Sequence, residues 1–460
     1  MLFLNADLDL HMTDRSMLLV AWYFPPDGGA GSQRPNSFAR HLPDLGWNVS
    51  VLTRKANHPR SRLESRDDGL LEEIDPRVRV HRVREIGPMP GVFGRFEKNI
   101  SSTAGPFCRQ LCEQVAEHAP SVVVISMSPF VLSNAIPHLR DHSSVRIVLD
   151  LRDPWALDYW PTISRGTARA QRSLMIKTLT QVDGVILNTS EARKALFSEL
   201  GSHLPKDFDQ RTSVIENGFS AHDFLKPVSS ISDQLLITHC GTFLCEQLGF
   251  RRSIARRMKD RLFLHSRGGI DRTGRSPHYL LEAAGLLKRT HPEIFADLRF
   301  KFIGHVDDSL RTCIARSPCP EKVELTGYQS HSEMIGNLRR STALFLPCGQ
   351  LDDSVRELIT PGKTYECLAS ARPIVAALHP GDALDLINES GGNYPCRPCS
   401  TDSIASALRD LHSAWSAGAL RDPIHRDPSF LNRFDRSHLA ALMSDFMDKI
   451  LELPRVGCVR

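Results

Sequence analysis

Short runs of apolar, β-branched residues alternate along the chain with stretches whose apolar residues recur at helical spacing. MLLVAWYF (17–24), NVSVLT (48–53), SVVVIS (121–126), RIVLDL (146–151), GVILNT (184–189) and TSVIENG (212–218) read as strands, and RVRVHRV (77–83) alternates with period two. Between the first two, Ser32 to Leu45 reads as a helix with Phe38, Leu42 and Leu45 on one face. Strand and helix in alternation predict a parallel sheet covered on both faces. The alternation then restarts. LLITHCGTF (235–243), LRFKFIG (298–304), KVELTG (322–327), TALFLP (342–347) and RPIVAAL (372–378) are further strands, with helices predicted over 277–289, 330–340 and 362–370.

A dozen strands suit two α/β domains better than one sheet. KPVSSISD (226–233) supplies the Pro, Ser and Asp of a junction. The predicted organisation is a disordered extension (1–16), a first Rossmann-like domain (17–225), a second (226–434), and a last helix with its tail (435–460).

Composition narrows the class. Of 460 residues, 41% are hydrophobic and 24% charged, the mix of a folded soluble protein. A net charge of +4 is too small to argue for a nucleic-acid partner. The 11 cysteines have no disulfide rhythm and fit a reducing compartment; the CRPC at Cys396–Cys399 has no second ligand pair for a metal. No run approaches the roughly 20 apolar residues of a membrane span. MLFLNADLDLHMTD has acids where a signal peptide would be apolar. The expectation is a cytoplasmic protein, free or peripheral on the inner face of the cytoplasmic membrane.

Four segments carry candidate chemistry. PPDGGAGSQRP (25–35) follows the first strand, where glycines admit a ligand and the next helix N-terminus favours an anion; a plain glycine turn explains it equally well. It is not GxGxxG, and Arg54 and Lys55 stand where a dinucleotide site wants an acid. DLRDPW (150–155) ends a buried strand, with Asp150 and Asp153 around Arg152. Acids there suit catalysis at the sheet's carboxyl edge, and an ion-paired strand end is the plainer alternative. Gly241 and Thr242 occupy the matching place in the second half and suit a phosphate or sugar. In TPGKTYECLASARPIV (360–375), Pro361 and Gly362 open a helix. Its amides and Lys363 can hold a diphosphate without a metal, and Glu366 can accept ribose hydroxyls; an ordinary capped helix would look the same. The one DxD-like string, Asp7-Leu8-Asp9, lies in the extension and carries no metal reading.

Taken in order, YFPPDGGAGSQRP, DLRDPW, VIENGF (214–219), HCGTF, GRSPHYLLEA (274–283), FKFIGH (300–305), LTGY (325–328) and TPGKTYECLASARPI resemble glycosyltransferase family 4, a retaining family of GT-B fold, over about 17–452. The resemblance implies an acceptor-binding first half, a donor-binding second half, and a last helix that crosses back to the first. It implies a nucleotide-diphosphate sugar as co-substrate, no cofactor, no metal, and a glycan, lipid-linked or small-molecule acceptor. Gly28, Gly29 and Asn217 would lie along the cleft. Gly304 would lie on the donor side with Gly241 and Thr242, Arg275 and Lys363 would meet the diphosphate, and Glu366 would be the second glutamate of the E-x7-E signature.

Two departures stand out. The first glutamate is due at position 358, which is Leu, while Glu357 is one residue off. About thirty residues (244–273) also intervene between GTF and GRSP, carrying Arg251, Arg252, Arg256, Arg257, Lys259, Arg261, Arg267 and Arg272 against three acids. A basic lid or a patch for anionic lipid is one reading; a mobile loop or a segment from a faulty gene model is the preferred one. The expected reaction is hexosyl transfer with retention. Asp153 would receive or orient the acceptor hydroxyl, and Asp150 would stay structural, paired with Arg152. A sugar-nucleotide epimerase and an inactive scaffold of the same fold are the alternatives.

Overall fold

The computed structural model describes residues 15–56, 66–83, 96–127, 129–225, 231–248, 265–266 and 269–456. The Asp7–Asp9 string, the junction residues 226–230 and most of the basic insert, from Arg251 to Arg261 with Arg267, lie outside the described residues.

Two parallel sheets form. The first joins β1 (Ser16–Ala21), β2 (Asn48–Thr53), β3 (Arg79–Arg82), β4 (Val122–Met127), β5 (Arg146–Leu151), β7 (Gly184–Leu187) and β8 (Thr212–Val214) in the order β3-β2-β1-β4-β5-β7-β8. The second joins β9 (Leu235–Cys240), β11 (Leu298–Ile303), β12 (Val323–Gly327), β13 (Ala343–Pro347), β14 (Ile374–Ala377) and β15 (Tyr394–Cys396) in the order β12-β11-β9-β13-β14-β15. Each order reverses beside its own first strand, the doubly wound arrangement whose ligand crevice opens at the reversal. This is the GT-B architecture of two Rossmann-like domains. A third pairing, β6 (Thr162–Ile163) antiparallel to β10 (His265–Ser266), ties the two halves together.

The inner strands of both sheets are apolar and buried, as sheets covered on both faces require, while the edge strands β3 and β12 are partly exposed. Two strand ends and one strand depart from expectation in ways the packing explains. β1 begins at Ser16, inside the predicted extension, because Ser16 is buried and exchanges hydrogen bonds with Ser121. β8 stops at Val214, since the chain must leave the sheet for the second domain. β15 was not foreseen: YPC is short and holds a proline, which only an edge strand tolerates.

The last helix (Arg436–Glu452) returns to the first domain. Its Leu439, Met443, Phe446, Met447 and Ile450 pack against Met17, Val49, Val148 and Ile186 of the first sheet. Trp47 donates to Ser444 at 2.9 Å, and Arg15 pairs with Asp448 at 2.9 Å. Gly218 sits where the chain meets this return. A methyl there would collide with the carbonyl oxygen of Phe434 and come within 2.5 Å of Leu439. Gly218→Ala should therefore cost about 1–3 kcal/mol, the scale of overpacking, read as a lower urea midpoint at unchanged slope.

Candidate functional site

The loops at the carboxyl ends of the first sheet's strands meet loops of the second domain. From β1, the chain turns at Gly29, whose φ of 82° favours glycine, into the Ala30–His41 helix. No side chain caps that helix; the Ser32 and Gln33 amides turn back to the Gly29 carbonyl, so of its first turn the Ala30 and Gly31 amides are left for the cleft. Gly28 precedes it, half-buried. Arg152 donates to the carbonyl of Gly31 and lies over the Tyr23 ring at 5.8 Å, which fixes the turn after β5 against the glycine loop.

Asp150 pairs with Arg34 and not with Arg152. The Arg34 guanidinium reaches its carboxylate at 2.8–3.1 Å, and both side chains are buried. Arg34 also donates to the carbonyls of Ile215 and Glu216. The strand ends at Leu151, so Arg152 lies past it and turns toward Gly31, while Asp150 faces the helix beneath the sheet. The expected partner of Asp150 is thereby corrected: Arg34 holds it, and Arg152 holds the glycine loop instead.

Asp153 differs. It is half-buried, and among the described residues no hydrogen bond engages its carboxylate. Burial raises its pKa, with Arg152 and Arg275 opposing. Asp158, just past the single turn Trp155–Leu157, is pushed up to about 7, first by burial and then by neighbouring carboxylates including Asp153 and Glu357. Trp160 donates its backbone N–H to Asp158 at 2.9 Å and its indole N–H to Glu357 at 3.1 Å. Its ring faces the Arg275 guanidinium at 5.2 Å. Asp158 and Trp160 were passed over in the sequence; the signal was an acid and an aromatic continuing the DLRDPW string.

On the second domain, Gly241 ends β9 with φ 118° and Gly304 ends β11 with φ 143°. A side chain on Gly304 would strike the Gly241 carbonyl, so the two turns touch backbone to backbone. Thr242 is half-buried beside them. Lys363, at the start of the Lys363–Ala369 helix, places Nζ 3.2 Å from the Cys240 carbonyl and 3.2 Å from Nε2 of His239. The other His239 nitrogen lies 3.0 Å from the Phe345 carbonyl, so Nδ1 carries the proton and Nε2 accepts. Burial, then the lysine charge, holds that imidazole neutral. Burial also lowers the Lys363 ammonium to about 8, with Arg275 contributing.

The two glutamates divide. Glu357 accepts from the amides of Leu358 and Ile359 at 2.9 and 3.2 Å, besides Trp160. The loop with the extra residue thus closes on its own carboxylate. Glu366 is 6% exposed and its Oε1 has no hydrogen-bond partner. The His331 ring lies 3.8 Å from it, with its other nitrogen 3.1 Å from Asp223. Asn217 lines a separate cavity with Gln33, Arg34, Gly362 and Arg436. The structure therefore gathers Gly241, Gly304 and Lys363, brings Arg275 and Glu357 to Trp160, and sets Glu366 and Asn217 toward the domain junction. Among the described residues, one acidic cluster has metal-like spacing, Glu191 with Asp382 and Asp385, but Lys194 and Arg356 pair with it.

Fold and cleft together define the GT-B class, two Rossmann-like domains that meet at the carboxyl ends of their strands. More narrowly, residues 29–218 match the glycosyl transferase 4-like domain. Similar solved structures extend over the whole chain. Sucrose-phosphate synthase from Thermosynechococcus elongatus superposes with a TM-score of 0.64 at 13% identity, over 95% of this chain and 99% of the other. An E. coli trehalose-6-phosphate protein bound with UDP-2-fluoro glucose gives 0.62 at 12%, over 95% and 99%. A Listeria monocytogenes protein assigned as a UDP-N-acetylglucosamine 2-epimerase gives 0.54 at 12%, over 96% and 98%. No curated protein matches at the sequence level.

Proposed function

We propose that the protein transfers a hexosyl group from a nucleotide-diphosphate sugar to an acceptor hydroxyl with retention, without a metal, in polysaccharide, lipopolysaccharide or other glycoconjugate synthesis. The observation that carries this reading is the cleft itself. Lys363 and the Gly241 and Gly304 turns face it from one domain, and the unengaged Asp153 from the other, with Arg275 between them. Charge develops on the leaving diphosphate, and a preorganised lysine, an arginine and helix amides stabilise it where it forms. Glu366, with its unpartnered oxygen, is suited to a ribose hydroxyl. The acceptor would be a glycan, a lipid-linked sugar or a small molecule.

The epimerase reading shares the fold and is separated by product: free epimer from donor alone, with no acceptor. Cytoplasmic placement, free or on an anionic membrane, belongs to the proposal; among the described residues no helix is long and apolar enough to cross a membrane.

Thermal shift against a panel of nucleotide diphosphates and their sugars is the first test, since a ligand bound at a hundred times its Kd stabilises by about 2.7 kcal/mol. Lys363 supplies the second. Its ammonium is charged below about pH 8 and neutral above. A diphosphate binds the charged form, so affinity should be level below about pH 7, drop about twofold by pH 8 and fall by up to about tenfold per unit above. Lys363→Ala should weaken binding by about 1–3 kcal/mol and abolish that decline, both read by calorimetry. Unchanged affinity in this variant removes Lys363 from the site.

A further inference from the structure

We propose that Trp160 is a positioning residue through which the acceptor loop sets the geometry of the donor site, an inference that rests on the functional reading above. Trp160 belongs to the first domain, seven residues beyond Asp153, yet its side chain is spent on the second. The indole N–H donates to Glu357 at 3.1 Å. The ring face carries the Arg275 guanidinium at 5.2 Å. The ring tip abuts Gly349, where an added Cβ would stand 3.3 Å away. Two segments of the donor domain, the turn that ends at Arg275 and the loop after β13 that carries Gly349 and Glu357, thus converge on one side chain of the other domain.

The loop that presents it is itself fixed. Asp158 accepts the Trp160 backbone N–H at 2.9 Å. Trp155, with φ 53°, is buried and stacks on Phe130 with centroids 5.0 Å apart and planes 2° from parallel. Just past Trp160, β6 pairs with β10, so the loop is held to the first domain before the indole and to the second domain after it.

The two contacts do separate work. A guanidinium stacked on an aromatic face keeps its N–H edge free and its plane fixed, the state in which it grips a diphosphate in two places. The indole N–H holds the Glu357 carboxylate, which lies in the loop that leads into the Lys363 helix. The first contact serves binding, the second serves the reacting geometry. Because Asp153 and Trp160 share one short loop, a shift of that loop on acceptor binding reaches Arg275 and Glu357 together, and coupling of this kind acts in both directions.

Substitutions separate the contacts. Trp160→Phe keeps a ring for the guanidinium and deletes the N–H; Trp160→Ala deletes both. Binding is measured by calorimetry with whichever of UDP, GDP and ADP the wild type binds tightest, and transfer with the matching nucleotide sugar. Trp160→Phe should bind within about twofold of wild type but lose about tenfold in kcat, the scale of one hydrogen bond. Trp160→Ala should lose about tenfold in nucleotide affinity as well, the scale of a desolvated cation–π contact. If Trp160→Ala fails to fold, the split in Trp160→Phe decides. The proposal is overturned if Trp160→Phe leaves kcat at the wild-type value, or if folded Trp160→Ala binds nucleotide as wild type does. A wild-type protein that binds none of the three nucleotides overturns the functional reading along with this one.

Discussion

Replacing Asp153 with asparagine is expected to lower sugar transfer by about a hundredfold or more while leaving nucleotide affinity unchanged. The carboxylate sits past the end of β5, half-buried, and no hydrogen bond from a described residue engages it. It is therefore available to an incoming hydroxyl, which a carboxylate assists only at hydrogen-bond distance, about 2.6–3.2 Å, in the ternary complex. Burial raises its pKa above the usual carboxylate range. A raised acid ionises at higher pH, so the rate should climb through that pKa as pH rises and then level off. Asparagine cannot ionise, and the climb assigned to this group should vanish with it. The checks are kcat against pH for both proteins and calorimetry of the nucleotide at one pH. Normal transfer by the asparagine variant, or its failure to fold, removes Asp153 from the chemistry.

Asp150→Ala should do the opposite: it should act on stability, by about 3–5 kcal/mol, because it strands the buried Arg34 charge. Arg34 anchors three segments at once, since it reaches Asp150 and the carbonyls of Ile215 and Glu216. Urea denaturation measures the loss. A variant as stable as wild type yet inactive would return Asp150 to the catalytic group. The two aspartates are three positions apart, and the turn at the end of β5 separates their fates. Asp150 is still on the strand and faces the helix beneath, whereas Asp153 has left it.

The partner of Asp150 was not legible in the sequence. Parallel strands buried on both faces are apolar runs, which is why both sheets could be read from Met17 and Leu235 onward. The three-residue edge strand at Tyr394 has no such run and was missed. The glycines at 29, 241 and 304 and the Lys363 helix were visible because their meaning is local: a turn after a strand, or a helix start. The ion pair of Arg34 with Asp150 spans 116 positions, and Trp160 meets Glu357 across 197. Periodicity carries no trace of such distant partners, so Asp150 was assigned to the nearest arginine. Asp158 escaped for a related reason: its shifted pKa comes from burial in a cleft that forms only once both domains are in place.

The return of the last helix has a consequence for biosynthesis. The first sheet is made early, but one of its faces is covered by Leu439, Met443, Phe446, Met447 and Ile450. Until the ribosome has released the segment around 436–452, nascent Met17, Val49 and Val148 lack their apolar cover. Domains made first commonly fold first, and exposed apolar surface in a partly made chain invites aggregation and chaperone capture. Here the first domain cannot complete its core ahead of the second. A fragment ending near residue 225 should accumulate in inclusion bodies, and a peptide of residues 436–452 supplied in trans should raise its soluble yield.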